Sequence, residues 1–572
     1  YFNHFGLSSI SDECSASSHE GAIPHQFHTG NYGPSQGMPS GSSAGQYWDD
    51  LYSTIRSSNI ILEGIAKYNT PDNPQDGRTG DLKRRIGEVY FLRGYLHLLL
   101  IRSYGEAVYV NRVINPGDDM TFEKESFHSM VEKICADADS AYNRVDSWNG
   151  GQYFGRVDKG ACLGLKAMAR WLAATPLWNG GNLPNDNRIF KSEYGYDQKR
   201  WELARDAAKA VLECTKEDGS LRYKLYETYT KDDFRDVDGK TDTNNKKVQQ
   251  RLWQMMYDMN AIQDEWVWFV TRDKDTGWSG DVLPPSQGGH ARQRPLQEQV
   301  DEYEYIAPDG YGYPIYCNHA EKDGYDDGNP YEGIQRDPRL YRDIRYHGSW
   351  YGGNQLNTAE GNDAVGGSYL DQASHTGYYL RKFYKDGWDR GHGGHTINGP
   401  AIWRLPEFIY IYCEAVNNLT GPNDEIYNLI NKVRDRSFMA PMPPAATHSS
   451  ANSTKSDKEL MEEYIQRERR VELFYENNRY WVARLYLQPG DYNTTSNVKA
   501  SEWPYPKDQR QSHGMKPVED PNGKIEVNGK KYRMERFVVE DNRVFSAPKS
   551  YLWPILQEEL KRCPSLVQNP GW

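Results

Sequence analysis

No stretch of the 572 residues reaches the roughly 18 consecutive apolar positions that a membrane-spanning helix needs. Cysteine is sparse as well. The seven (Cys14, Cys135, Cys162, Cys214, Cys317, Cys413 and Cys563) are odd in number and never in C-x-x-C spacing. That pattern supports neither a zinc or redox motif nor a disulfide framework. An excess of positive charge is also missing: 68 Lys and Arg face 80 Asp and Glu, for a formal net charge of −12. Such a surface repels nucleic acid and anionic lipid and disfavours strongly anionic polysaccharides. Phenylalanine, at 16, is outnumbered by 42 tyrosines, with 16 tryptophans beside them. Tyr and Trp join a flat apolar face to a polar edge, which suits helix–helix contacts, wet binding surfaces and the C–H faces of sugars. The chain opens Tyr1-Phe2-Asn3-His4, with neither a methionine start nor a signal-peptide pattern, and reads as mature or trimmed.

The familiar catalytic constellations are lacking too. Gly41-Ser42-Ser43-Ala44-Gly45 matches G-x-S-x-G, but that nucleophile elbow needs a strand before the serine, and Tyr32 to Ser40 read as a Gly/Pro/Ser loop. The acidic run Asp233 to Asp242 hints at a calcium loop, yet Phe234 takes a ligand position and no Glu closes it. His392-Gly393-Gly394-His395 has no helix to set metal-ligand geometry, so no metal or cofactor is assigned. Glu468 and Glu472 sit one helical turn apart, and paired carboxylates suggest glycoside hydrolysis. Their alternation with Arg467, Arg469 and Arg470 points instead to a salt-bridged helix with both acids kept ionised.

What is present is helix. An apolar stripe of Trp48, Leu51, Tyr52, Ile55, Ile61, Leu62 and Ile65 predicts a helix over 47–65, and a similar stripe predicts one over 81–104. Further helices are predicted near 124–145, 157–176, 199–214, 401–418, 422–437 and 457–486. Consecutive pairs with small residues and aromatics at their contacts read as tetratricopeptide-like repeats that must stack to bury their apolar faces, although no strict 34-residue period survives. Length alone allows three or four domains. The bracketing helices favour one body instead: an N-terminal loop region (1–46), helical repeats (47–217), an irregular ligand-binding insertion (218–400), closing helices (401–486) and an irregular C-terminal region (487–572). The fold class is mostly α, a tetratricopeptide-like scaffold with a large loop-rich binding region.

Several segments, in order, resemble the SusD/RagB family of nutrient-binding outer-membrane lipoproteins. They include Trp48-x3-Tyr52-x2-Ile55-x3-Asn59 and Gly87-Glu88-x2-Phe91-Leu92-Arg93-Gly94-Tyr95 with Tyr104-Gly105. Gly155-Arg156-Val157 with Gly160-Ala161 follows, then Gln299-Val300-Asp301-Glu302-Tyr303-Glu304 and Arg336-Asp337-Pro338-Arg339-Leu340. Arg404-Leu405-Pro406-Glu407 leading to Glu414-Ala415-x-Asn417, the run Arg467 to Tyr480, and Leu552-x-Pro554-Ile555 with Gln568-Asn569-Pro570-Gly571-Trp572 complete the set. Trp553 and Leu556 depart from the usual residues at structural positions. The family's lipidated N-terminal cysteine is not recognisable, and Cys14 follows no apolar stretch.

The resemblance implies a non-enzymatic binding protein on the outer face of the outer membrane, lipid-anchored, in a Bacteroidetes-type cell. It would capture an oligosaccharide and act as the lid of a TonB-dependent transporter of the SusC type. A peptide-binding relative on the same scaffold is one alternative. A helical-repeat glycoside hydrolase is another, requiring two carboxylates roughly 5–9.5 Å apart across a cleft. Ligand contact calls for exposed aromatics bracketed by planar polar groups. The candidates are Asp12 and Glu13, where the family places acidic contacts, Trp278, Tyr311, Tyr313, Trp350 and Tyr351 in irregular segments, Arg292 as the cation, and Trp48 at a helix start. Arg93, Glu414 and Glu468 are assigned to the fold.

Overall fold

The computed structural model describes residues 6–16, 26–27, 30–35, 39–40, 43–44, 46–68, 79–119, 121–150, 153–183, 185–226, 259–270, 283–317, 320–331, 333–351, 354–366, 373–383, 401–444, 455–486, 511–540, 543 and 545–572. Its scaffold is the series of helices Gln46–Tyr68, Thr79–Tyr104, Phe127–Tyr142, Lys159–Ala174 and Gln198–Leu212, each packed on the one before. Side-chain oxygens start the last three. Ser126, Asp158 and Asp197 accept from the exposed N–H groups of the first turn. Small residues let the pairs close up. A Cβ on Gly87 would lie 2.8 Å from Val145 and 2.9 Å from Arg144, so the Thr79–Tyr104 helix can approach its neighbour only with glycine there.

The closing helices Leu405–Thr420, Asp424–Arg436 and Asp457–Glu472 return to this stack, the first packing on both Gln198–Leu212 and Asp457–Glu472. Ser456 and Glu459 form a reciprocal capping box at the start of Asp457–Glu472. The long helix predicted over 457–486 is in fact two. It breaks after Glu472, where Tyr475 and Asn477 adopt φ of 61° and 59°, and resumes as Arg479–Leu485. A left-handed non-glycine residue is uncommon, and the apolar spacing gives no sign of the break.

Two of the buried clusters are large. The larger runs through the helical stack and takes in the C-terminal Leu552, Trp553 and Ile555. The smaller joins residues 283–383 to Val471, Phe474 and Tyr475 and to a sheet near the C-terminus. The helix Asp457–Glu472 therefore contributes to both, through Met461 and Ile465 on one side and Val471 on the other. Among the described residues no helix is long and apolar enough to cross a membrane.

The C-terminal stretch read as irregular needs correction. It holds a three-stranded antiparallel sheet in which Lys530–Glu540 lies between Ser512–Glu519 and Ile525–Val527. The Asn528-Gly529 turn, both residues at positive φ, joins two of its strands, and such a pair is a strong hairpin signal. The loop read into Tyr32–Ser40 ends in a short strand, Pro39–Ser40, that pairs with Ser43–Ala44. The Asp233–Asp242 and His392–His395 segments lie outside the described residues.

Candidate functional site

The paired carboxylates Glu468 and Glu472 lie inside the molecule, not in a cleft. Glu468 takes Arg339 at 3.0 Å and also pairs with Arg434, while Glu472 takes Arg436 at 2.5 Å and Arg404 at 3.0 Å. Burial pushes the Glu472 carboxyl up, but the guanidiniums of Arg436, Arg404, Arg342 and Arg339 outweigh it and hold the group well below the usual range. Wholly buried and ionised, it can act neither as acid nor as nucleophile toward a ligand. The partners differ from those the spacing predicts. Arg467, Arg469 and Arg470 turn instead to Glu304, Glu414 and Asp12.

A second arrangement superficially suits nucleophilic chemistry. Ser15 Oγ lies 2.8 Å from His375 Nε2 and 2.6 Å from Glu540 Oε1. His375 Nδ1, however, receives the Arg294 guanidinium, so Nε2 carries the proton and donates to Ser15, whose own proton goes to Glu540. Burial and the Arg294 charge push the His375 pKa down to about 3. The imidazole is therefore a fixed donor to the serine and no base for it.

Four of the predicted contact residues lie inside the fold. Asp12 is bidentate to Arg479, at 2.8 Å on both oxygens, and meets Arg470 at 3.1 Å. Burial raises its carboxyl, yet the two arginines outweigh that and keep it well below the ordinary range. Glu13 is 1% exposed. Trp48 packs between Tyr52 and Tyr104, with ring centroids 4.9 and 4.8 Å away. Tyr313 is buried, its hydroxyl donating to Asp309 at 2.9 Å. These placements correct the expectation of ligand-facing side chains: arginines hold Asp12, burial encloses Glu13, ring packing holds Trp48 and the Asp309 carboxylate holds Tyr313. Trp278 lies outside the described residues, and Arg292 is half-buried beside the left-handed Ala291.

The remaining aromatics form two surfaces. Trp350, 40% exposed, lies with Tyr351 on a hairpin whose other strand is Asn354–Gln355. The Tyr351 side chain is outside the described set. The hairpin is rigidly based. Gly348 and Ser349 exchange backbone bonds with Leu356 at 2.9 and 2.8 Å, and Gln355 Nε2 donates to Gly348 O and Glu526 O. An indole held in this way can meet a flat apolar face with little loss of its own freedom. The second surface is Tyr316, which is 51% exposed; Tyr311, earlier in the same segment, is half-buried. Arg467 donates to the Tyr316 hydroxyl at 2.9 Å and is itself fixed by Glu304.

The sequence matches the model of the SusD family over residues 249–572, more than half of the chain. The chain belongs to the SusD family. A model described as "starch-binding associating with outer membrane" matches residues 17–167. No curated protein matches the sequence. Among solved structures, a SusD-like protein from Bacteroides fragilis superposes with a TM-score of 0.70 at 20% identity, covering 99% of this chain and 93% of that one. A SusD-like carbohydrate-binding protein from the same species gives 0.65 at 19%, with 98% and 92% covered. A laminarin-binding SusD-like protein gives 0.55 at 17%, with 99% and 93% covered. At these identities the likeness speaks for the fold, the helix-rich tetratricopeptide-like scaffold expected from the sequence.

As expected, the SusD-family motif residues serve that fold. Arg93 pairs with Asp137, Glu414 with Arg469, and Trp553 donates to Tyr480 at 2.8 Å from a buried position. Tyr316 is the surface residue that sequence reading passed over. It stands outside the alternation of Tyr311 and Tyr313, and its support, Arg467, lies 151 positions away.

Proposed function

We propose that this SusD-family chain binds a neutral or weakly charged oligosaccharide at the cell surface and hands it to a TonB-dependent, SusC-like transporter. It would do so without altering the glycan, held at the outer membrane by a lipid anchor. The observation that carries the binding reading is Trp350, an exposed indole on a hairpin fixed from below. Tyr316 supplies a second candidate platform. The carbohydrate- and laminarin-binding descriptions of two structural relatives agree with this reading. So does the net charge of −12, which disfavours an anionic polymer.

Calorimetry against a glycan panel that includes laminarin and starch, with the products examined in parallel, is the direct test. We expect one class of glycan to bind with no shorter sugars released. Trp350→Ala should weaken binding by at least ~10-fold, about 1.4 kcal/mol, with an unchanged helical circular dichroism spectrum. Unaltered affinity in that variant would remove the hairpin from the site, and time-dependent release of sugars would overturn the non-enzymatic reading. Delivery predicts that the native chain co-purifies with a barrel transporter; purification alone would count against it.

A further inference from the structure

Two neighbouring carboxyl groups fasten the N-terminal segment, and they are supported unequally. Asp12 has Arg479 and Arg470, as described. Glu13 Oε1 receives the backbone N–H of Tyr475 at 3.4 Å and the Ser8 hydroxyl stands nearby, while Glu13 Oε2 makes no hydrogen bond among the described residues. The group lines a small, partly open cavity of about 10 Å³ with Gln466, Arg469, Arg470, Asn478 and Arg479. That is room for about one water molecule and nothing larger.

We infer that Glu13 is a pH-sensitive latch that fixes residues 6–16 to the Asp457–Glu472 and Arg479–Leu485 helices, holding while its carboxyl carries a proton and loosening once it is ionised. An ionised Glu13 would set a second negative charge beside Asp12 in a buried site with room for no more than about one water. The cations that face it are already engaged. Arg479 is bidentate to Asp12, Arg470 is shared with Glu302 at 3.1 Å, and Arg469 belongs to Glu414. On the segment's own side stands Cys14, and Arg543 there donates to the carbonyls of Ser11 and Cys14. Burial pushes the Glu13 carboxyl up to about 7, opposed by the Ser8 hydroxyl and by Arg470 and Arg479.

The direction follows from linkage. The docked segment binds a proton that the undocked one gives up near the ordinary value of 4.5. Glu13's share of the docking is therefore fully in place below that pH, weakens by about tenfold per pH unit as pH rises, and stops weakening above about 7. The segment bridges the closing helices to the loop region, since Cys14–Ala16 pairs with Gln293–Pro295 just after Arg292. Loosening would thus be felt on both sides.

Amide hydrogen exchange of the whole chain between pH 5 and 8.5, corrected for intrinsic exchange, reads the latch directly. Protection of residues 8–14 should fall about tenfold per pH unit up to pH 7 and then level off. Glu13→Gln, which stays neutral, should flatten that slope while the Leu405–Thr420 amides remain unaffected. A flat profile in the unaltered protein overturns the inference, whether or not the variant folds, and so does a slope that Glu13→Gln retains.

Discussion

Glu414 shows how much a single side chain can carry at the centre of this protein. It accepts from Trp171 Nε1 at 2.9 Å and from Arg469 at 3.0 Å, and the Tyr486 hydroxyl completes its shell. Burial, with the nearby Glu462 charge, nevertheless outweighs Arg469 and pushes its carboxyl up to about 8. A carboxyl raised in the folded state contributes stability below its ordinary 4.5, and that contribution is lost as pH climbs through 8. Glu414→Gln should therefore gain on the unaltered protein as pH rises from 5.5 to 8.5, by as much as about 1.4 kcal/mol per pH unit at the steepest. Urea midpoints at the two pH values measure this, and parallel losses in both proteins would remove Glu414 as the cause. Sequence reading assigned this residue correctly to structure, since a motif glutamate on a strongly apolar helix stripe has nowhere else to go. It misplaced Asp12 and Glu13 because their partners lie some 460 positions away. Nothing local distinguishes a buried acid from a sugar-facing one in a short irregular segment.

The elements were legible to different depths. Helices with a clear apolar stripe were predicted within a few residues of where they lie, as with 81–104 against Thr79–Tyr104. The break at Leu473–Asn478 and the C-terminal sheet were not, the first because left-handed Tyr and Asn leave no periodic trace. The sheet was the more avoidable miss, with Asn528-Gly529 set between alternating runs. That sheet matters for the proposed site because the Trp350 hairpin rests on it. Gly348 has φ of 88°, and a Cβ there would lie 3.0 Å from Ile525 and 3.6 Å from Val527. Gly348→Val sets a β-branched residue in a left-handed conformation against the strand below, at a cost of about 1–3 kcal/mol. The expected result is glycan binding weakened as much as in Trp350→Ala, with the helical dichroism kept and exchange raised at Ile525–Val527. Normal binding by this variant would show that the hairpin does not depend on its close seat over the sheet.

At the scale of the whole molecule, buried charge joins the helical stack to the loop-rich region, and its two populations respond to pH in opposite senses. Burial raises Asp12, Glu472 and Glu476, but their guanidinium and ammonium partners prevail and hold them below the ordinary range. Their stabilisation is in place above the unfolded carboxyl values of 3.8 to 4.5 and disappears as pH falls through the lower folded values. Glu13, Glu407 and Glu414 are raised mainly by burial, and their contribution disappears as pH rises. Removing one partner of such a buried pair costs about 3–5 kcal/mol, so neither population is minor. The gain from the first group ends, and the loss from the second begins, at the unfolded carboxyl values, so stability should peak at about pH 4–5. Denaturant midpoints from pH 3 to 9 should trace a dome with its crest in that interval. A steady rise to pH 9 would mean that the raised carboxylates find partners the folded chain does not display.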